Sequence, residues 1–310
     1  MTIPAGLPTE VHLREVGPRD GLQPEAPVAV ADRIRLVQAL IAAGVRHLEV
    51  GAFVSPKAVP AMAGSDEVLA AIDPKPGLIR TALVPNLRGA ELALAASADE
   101  LTVTISASEA YNERNVKMST AGSEAVIAGI VARSRPQAVP VDAVISCAFG
   151  SPYEGDIAPV AVADLAVRLL GAGVDAVTYA DTTGMATPRR IHEVLDAVEA
   201  ASVATEAVGL HLHDTRGTAL VNVYAALQRG VRRFDTSVGG LGGSPFAHGA
   251  GGNLATETLV AVLDDLGIAT GIDVEALIEA ALLAESLIGR PVPSGVAHHG
   301  PRRRRVPAGY

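Results

Sequence analysis

What this chain is short of narrows its class. It has one cysteine, Cys147, so no intrachain disulfide can form and nothing in the residues calls for an oxidising compartment. No apolar run approaches the ~20 residues that cross a bilayer. The first residues, Met1 to Pro8, lack a basic start followed by an apolar block, so no secretory leader is expected and a soluble, cytoplasmic protein is the reading. Positive charge is also in deficit: 25 Lys and Arg against 34 Asp and Glu give a formal charge of −9. The only basic run, Arg302 to Arg305, reads as a solvated tail, so neither nucleic acid nor a membrane is expected as a partner. No G-x-G-x-x-G opens a helix after a strand, and a dinucleotide fold loses its best support.

What is present is enough apolar material for one large core, 49% of 310 residues. Short β-rich runs alternate with Ala/Leu-rich helical ones, the pattern of parallel strands joined by crossover helices. Strands are predicted near Val11–Val16, His47–Gly51, Ile79–Val84, Leu101–Ser106, Val141–Ala148, Ala176–Ala180, Val208–His213 and Phe234–Val238. Between the first two, Ile34, Val37 and Ile41 recur at helical spacing after Asp32 as a cap, and Gly44 closes the helix. Similar helices fit Asp66–Ile72, Leu87–Ala96, Ser123–Ser134, Ala161–Leu170, Arg189–Ala200, Ala219–Arg229 and Asn253–Leu266. Eight repeated units favour a (β/α)8 TIM barrel over residues 1–270 rather than an open doubly wound sheet. Residues 271–310 then form a short helical extension and tail, either covering one end of the barrel or joining a subunit interface, as in a homodimer.

Candidate chemistry centres on Val208-Gly209-Leu210-His211-Leu212-His213-Asp214. Side chains alternate along a strand, so His211 and His213 share one side while Val208, Leu210 and Leu212 take the other. Alone, H-x-H reads equally as two half-buried polar residues or as a metal clamp. Oxygen donors elsewhere tilt the balance: Asp20, in Gly17-Pro18-Arg19-Asp20-Gly21, and Asn253, after Gly249-Ala250-Gly251-Gly252, come from segments that flank the penultimate strand of a closed barrel. Asp20, His211, His213 and Asn253 would supply two oxygens and two nitrogens, a set that suits catalytic Mg²⁺ or Mn²⁺ and would also bind Zn²⁺. Two coordination positions would remain for a substrate bearing a hydroxyl and a carbonyl on nearby carbons. Arg19 cannot lose its charge and could receive an enolate oxygen as a carbon–carbon bond breaks. Arg19, Asp20, Glu49, Asp181 and the two histidines all fall at C-terminal strand ends, where barrels of this kind place function.

At these residues the chain resembles a known family. Glu15-Val16-Gly17-Pro18-Arg19-Asp20-Gly21-Leu22-Gln23 looks like the first-strand motif of 3-hydroxy-3-methylglutaryl-CoA lyases, metal-dependent TIM-barrel enzymes. Phe53-Val54-Ser55-Pro56-Lys57, Val84-Pro85-Asn86-Leu87, Pro152-Tyr153-Glu154-Gly155, His211-Leu212-His213-Asp214-Thr215, Gly240-Leu241-Gly242-Gly243 and Asn253-Leu254-Ala255-Thr256-Glu257 are similar as well. The likeness runs from about Val11 to Gly289.

It implies cleavage of a 3-hydroxyacyl-CoA to acetyl-CoA and a keto acid, acetoacetate for the parent substrate. Coenzyme A would enter as part of that substrate. Asp20, His211, His213 and Asn253 would hold the cation, Arg19 would face the enolate, and Glu49 and Asp181 would orient or tune proton transfer. His211 would move protons as well as bind metal. Arg114 and Lys117, around Asn115 in the loop after the fourth strand, could meet the CoA phosphates, or could be solvated surface charge.

The match is incomplete. Where the family carries a catalytic cysteine, in the glycine-rich loop after the last strand, this chain has Ser244. A thiol titrates near ~8.5, whereas a serine hydroxyl stays neutral and is the weaker acid. His248 could donate the proton instead or simply be exposed, and half of residues 239–252 are glycine, which suits a lid or tight turns. Gly51-Ala52 replaces a Thr-Ser pair, and Ala58 and Ala61 stand where Trp and Gln are common, which predicts room for a bulkier or differently decorated acyl group. Two other functions compete with the lyase: an aldolase or condensing enzyme on 2-oxo acids, and a metal- or CoA-binding homologue whose chemistry has lapsed. Retention of Arg19, Glu49 and Asp181 together speaks against the last, since binding a metal does not need them.

Overall fold

The structure, a computed structural model, describes residues 6–243 and 251–304. Eight strands form: β1 (His12–Glu15), β2 (His47–Ala52), β3 (Ile79–Leu83), β4 (Glu100–Ser106), β5 (Val141–Ser146), β6 (Ala176–Asp181), β7 (Val208–Leu212) and β8 (Arg233–Thr236). They close in sequence order into a parallel barrel, β8 pairing back onto β1. The (β/α)8 barrel expected from the alternation of elements is the fold found. No helix among the described residues is long and apolar enough to cross a membrane.

Parallel strands covered by helices bury both faces, which is why their sequences run apolar without clean alternation. Leu48, Val50, Val177, Leu210 and Leu212 are all buried. On the opposite parity Arg14, Asp142, Thr178 and Asp235 are buried and hydrogen-bonded to one another. Register aligns Arg14 with Asp235 and Asp235 with His211, so three neighbouring strands bring these side chains to one level. Arg14 there donates to both oxygens of Asp235 at 2.8 Å and to Asp142 at 2.7 Å. Sequence periodicity did not reveal this ionic layer, because it registers only after the barrel closes.

Several boundaries differ from expectation for local reasons. The first helix spans Val30–Ala42 and begins after Ala29, so Asp32 lies within its first turn and caps nothing. The segment after β4 is a helix, Glu109–Val116, rather than a loop: Ser108 caps it by accepting from the Tyr111 N–H. Its buried Asn112 accepts from the Ser106 N–H and donates to Ser123. The helix expected from Asn253 starts at Thr256, leaving Asn253 on an extended segment bridged to His213. Past the barrel, the helix Val274–Ile288 packs against the Val30–Ala42 helix and against the turn Val238–Gly240 that follows β8.

A candidate metal centre beside a half-apolar cavity

The centre is assembled from three chain segments at the C-terminal rim. β7 ends at Leu212, so His211 is held within the sheet and His213 lies one step beyond it. The returning segment is tied to that end by the Leu254 N–H donating to Leu212 O at 2.9 Å and the Asp214 N–H to Gly252 O at 2.9 Å. This pairing sets Asn253 opposite His213. The third segment is one turn of π-helix, Gly17–Gly21, in which the N–H groups of Arg19, Asp20 and Gly21 crowd onto Val16 O. Single π-turns of this type recur at functional sites because they swing a side chain out of regular helical spacing. Here the turn presents Asp20 to the histidines. Glu15 fastens it from behind, accepting from the Gly17 and Val238 N–H groups at 2.7 and 2.8 Å and from the Thr256 hydroxyl at 2.6 Å.

Asp20, His211 and His213 each place a donor atom within 4.8 Å of the others. His213 Nδ1 faces Gly251 O at 2.9 Å, and His211 Nδ1 faces Asp235 Oδ2 at 3.1 Å. Both partners only accept, so both Nδ1 atoms carry hydrogen. The two Nε2 atoms then meet at 3.3 Å with lone pairs towards each other. A positive charge must lie between them, either a proton or a cation. Cis ligands at ~2.1 Å from an octahedral ion sit about 3.0 Å apart, close to this spacing. Asn253 donates to Asp20 Oδ2 at 2.7 Å and to Leu241 O at 2.9 Å, while its own Oδ1 is buried without a partner among the described residues. An orphaned buried oxygen beside a carboxylate and two imidazole lone pairs fits a hard divalent ion. Close to Asn253, Gly242 has φ 115° and would put a Cβ 2.4 Å from Asn253 Nδ2, so only glycine fits there.

Charge is arranged around this cluster. Burial alone would raise the Asp20 carboxyl, but Arg19 and then the histidines hold it below its usual range. Burial and repulsion from His211 push His213 down to about 4, which keeps it neutral and available as a ligand. Burial works against a charged His211, yet its hydrogen bond to Asp235 raises it overall. Arg19 is clamped through Nε to Glu49 Oε2 at 2.5 Å and through Nη1 to Asp20 Oδ1 at 2.6 Å. Nη2 has no partner among the described residues, and the guanidinium lines the cavity. Burial pushes Asp181 up to about 7; its Oδ1 accepts from the Ala186 N–H, and its Oδ2 is buried with no partner among the described residues.

The cavity, about 410 Å³, is lined by Arg19, Asp20, His211 and His213 and by the apolar Val54, Ala58, Val59, Leu83 and Val144. Not every sequence candidate reaches it. Asn115 and Lys117 line it, whereas Arg114 is exposed and lies over the Tyr153 ring, 4.2 Å from its centroid. Glu49 and Asp181 are fully buried and lie outside the lining. Ala58 is on the wall, but Ala61 is buried away from it, and a Cβ on Gly51 would point at Ser65 behind the sheet. Ser244 and His248 lie outside the described residues. Sequence reasoning missed Asp235, Arg14 and Glu15 as supports of the centre. Their signal was a charged residue at a strand position whose apolar neighbours were plainly core.

Comparison with known proteins gives the chain its relatives. The family model HMGL-like matches residues 10–283. A Pseudomonas aeruginosa protein named 3-hydroxy-3-isohexenylglutaryl-CoA/hydroxy-methylglutaryl-CoA lyase is 46% identical over 92% of this chain and 95% of its own length. The hydroxymethylglutaryl-CoA lyase of Pseudomonas mevalonii is 42% identical over 90% and 93%. Among solved structures, an HMG-CoA lyase from Acinetobacter baumannii in complex with coenzyme A and 3-methylmalate superposes with TM-score 0.92 at 39% identity, over 99% of both chains.

Proposed function

The chain belongs to the HMGL-like family, and from that premise we propose that it is a carbon–carbon lyase cleaving 3-hydroxy-3-methylglutaryl-CoA, or an analogue with a larger group on C3, to acetyl-CoA and a keto acid. The observation that carries the reading is the meeting of Asp20, His211 and His213 beside the free edge of Arg19 in one cavity. We assign Asp20, His211, His213 and Asn253 as ligands of a divalent cation, Mg²⁺ or Mn²⁺ for catalysis, with Zn²⁺ able to compete by the usual affinity order. Such an ion would polarise a substrate carbonyl and acidify its hydroxyl.

The chain's own residues account for the rest. A water-borne base in the cavity takes the C3 hydroxyl proton, that oxygen collapses to a carbonyl as the C2–C3 bond breaks, and the electron pair is left on C2 as a thioester enolate. Arg19, held by two carboxylates, directs Nη2 to the enolate oxygen, and its charge does not titrate away. Return of a proton to C2 completes acetyl-CoA, and Ser244 is the candidate relay. His211 acts as a ligand in this scheme. Its Nδ1 faces Asp235 and its Nε2 faces the centre, which supports the ligand role. Glu49 and Asp181 act at one remove from the substrate, by holding Arg19 and by lying behind the rim. Asn115 and Lys117 suit the pantetheine and phosphate end of the thioester, and Val54, Ala58 and Leu83 suit an apolar C3 branch.

Purified protein with Mg²⁺ or Mn²⁺ should release acetyl-CoA from 3-hydroxy-3-methylglutaryl-CoA or from a homologue bearing a longer C3 alkyl group. Asp20→Ala should abolish turnover, and Ser244→Cys should change the rate or the substrate preference. No turnover of any 3-hydroxyacyl-CoA in the panel would refute the assignment and leave a metal- or CoA-binding protein.

A further inference from the structure

The ionic layer under the site reaches the metal centre through one bond. Asp235 Oδ2 accepts from Arg14 Nη2 at 2.8 Å and lies 3.1 Å from His211 Nδ1, while Oδ1 accepts from Arg14 Nε at 2.8 Å. Arg14 in turn is held by Asp142 at 2.7 Å, and Asp142 accepts from the Thr178 hydroxyl at 2.9 Å. All five of these side chains are buried. Their alignment follows from strand register, with β1, β8 and β7 placing Arg14, Asp235 and His211 side by side. His213 has a backbone carbonyl as its Nδ1 partner, Gly251 O, so His211 alone of the two is oriented by a charged group.

We propose that the Arg14–Asp235 pair is a positioning device for the metal centre, fixing His211 as the Nδ1–H tautomer so that its Nε2 lone pair faces the cation. An imidazole ligand rotates and exchanges tautomers unless its second nitrogen is held, and partners of this kind commonly change metal affinity ~10–100-fold. A carboxylate free to swing would not hold it. The two Nε/Nη2 bonds from Arg14 fix the plane of Asp235. Asparagine at 235 would break the device in either orientation. If its oxygen stays towards His211, its amide hydrogens oppose those of Arg14. If it flips, its amide donates to His211 Nδ1, the ring proton moves to Nε2, and the lone pair offered to the cation is gone.

The inference rests on reading the centre as a metal site, and the test separates the two. Mn²⁺ affinity of metal-free protein is measured by EPR for wild type, Asp235→Asn and Asp142→Asn. Each variant removes one carboxylate from Arg14, but only the first alters the partner of His211. Asp235→Asn should weaken Mn²⁺ binding ~10–100-fold, with Asp142→Asn close to wild type. Nitrogen-15 spectra of the imidazoles in Mg²⁺-loaded wild type should show His211 protonated at Nδ1, and this readout stands even if a variant fails to fold. His211 protonated at Nε2, or equal Mn²⁺ affinities in folded Asp235→Asn and wild type, would overturn the inference. Equal losses in both variants would do so too, since the layer would then be structural only. Failure of wild type to bind Mn²⁺ at all would instead refute the metal centre itself.

Discussion

Replacing Arg19 with lysine isolates what the guanidinium contributes beyond its charge. The native group spends Nε on Glu49 at 2.5 Å and Nη1 on Asp20 at 2.6 Å, leaving Nη2 for the cavity. A lysine ammonium is one point. It can sit with Glu49 or with Asp20, but it cannot bridge both and still present a donor to the enolate oxygen. Ground-state attraction for an anionic substrate survives, because the charge does. The loss therefore falls on the transition state, where removal of one preorganised oxyanion donor costs roughly 2.7–4 kcal/mol, or ~10²–10³ in kcat. Acetyl-CoA release at saturating substrate and cation should show kcat reduced by about that factor, with KM changed less than about threefold. A lysine enzyme retaining more than a tenth of wild-type kcat would mean that Arg19 supplies only bulk positive charge, and the role given to its free edge would be wrong.

Two further outcomes follow from the same geometry. Gly242→Ala sets a Cβ 2.4 Å from Asn253 Nδ2 at a backbone φ of 115°; with ~1–3 kcal/mol of strain, Mn²⁺ affinity by titration calorimetry should fall about tenfold or more, and an unchanged affinity would remove Asn253 from the ligand set. Asp181, raised by burial to about 7, favours its protonated form in the fold. Its contribution is therefore fully present below the unfolded value near ~3.9 and is lost as pH rises to 7, by up to about 4 kcal/mol. Thermal denaturation of metal-free protein should accordingly show wild type losing stability relative to Asp181→Asn between pH 4 and 7 and holding a constant offset above it, whereas parallel curves would mean that Asp181 is ionised throughout.

The fold was legible because strand and helix signals alternate eight times, and the centre because its donors sit in short, distinctive segments: Arg19-Asp20, His211-Leu212-His213 and Asn253. Strand parity alone put His211 and His213 on one side. Other features depend on closure. Asp235 is unremarkable in Phe234-Asp235-Thr236 until β8 is registered between β1 and β7, after which it touches both Arg14 and His211. The helix Glu109–Val116 was hidden because its sequence is polar, with only Tyr111 and Asn112 buried, so no apolar stripe marks it. That helix explains why Arg114 and Lys117 part company: Lys117 ends the helix at φ 60° on the cavity rim, while Arg114 turns out over Tyr153. Ala61 misled in the opposite way, since proximity to Ala58 in the chain did not carry it to the same wall.

The claim beneath all of this is that one cation is shared by residues brought from β7, from the turn after β1 and from the segment bridged to His213. Anomalous diffraction from crystals grown with Mn²⁺ tests it directly. A shared cation gives a single strong manganese peak within ~2.0–2.4 Å of Asp20, His211 Nε2 and His213 Nε2, with Asn253 Oδ1 turned towards it. Manganese bound elsewhere, or a proton alone bridging the two imidazoles in fully loaded crystals, would contradict it.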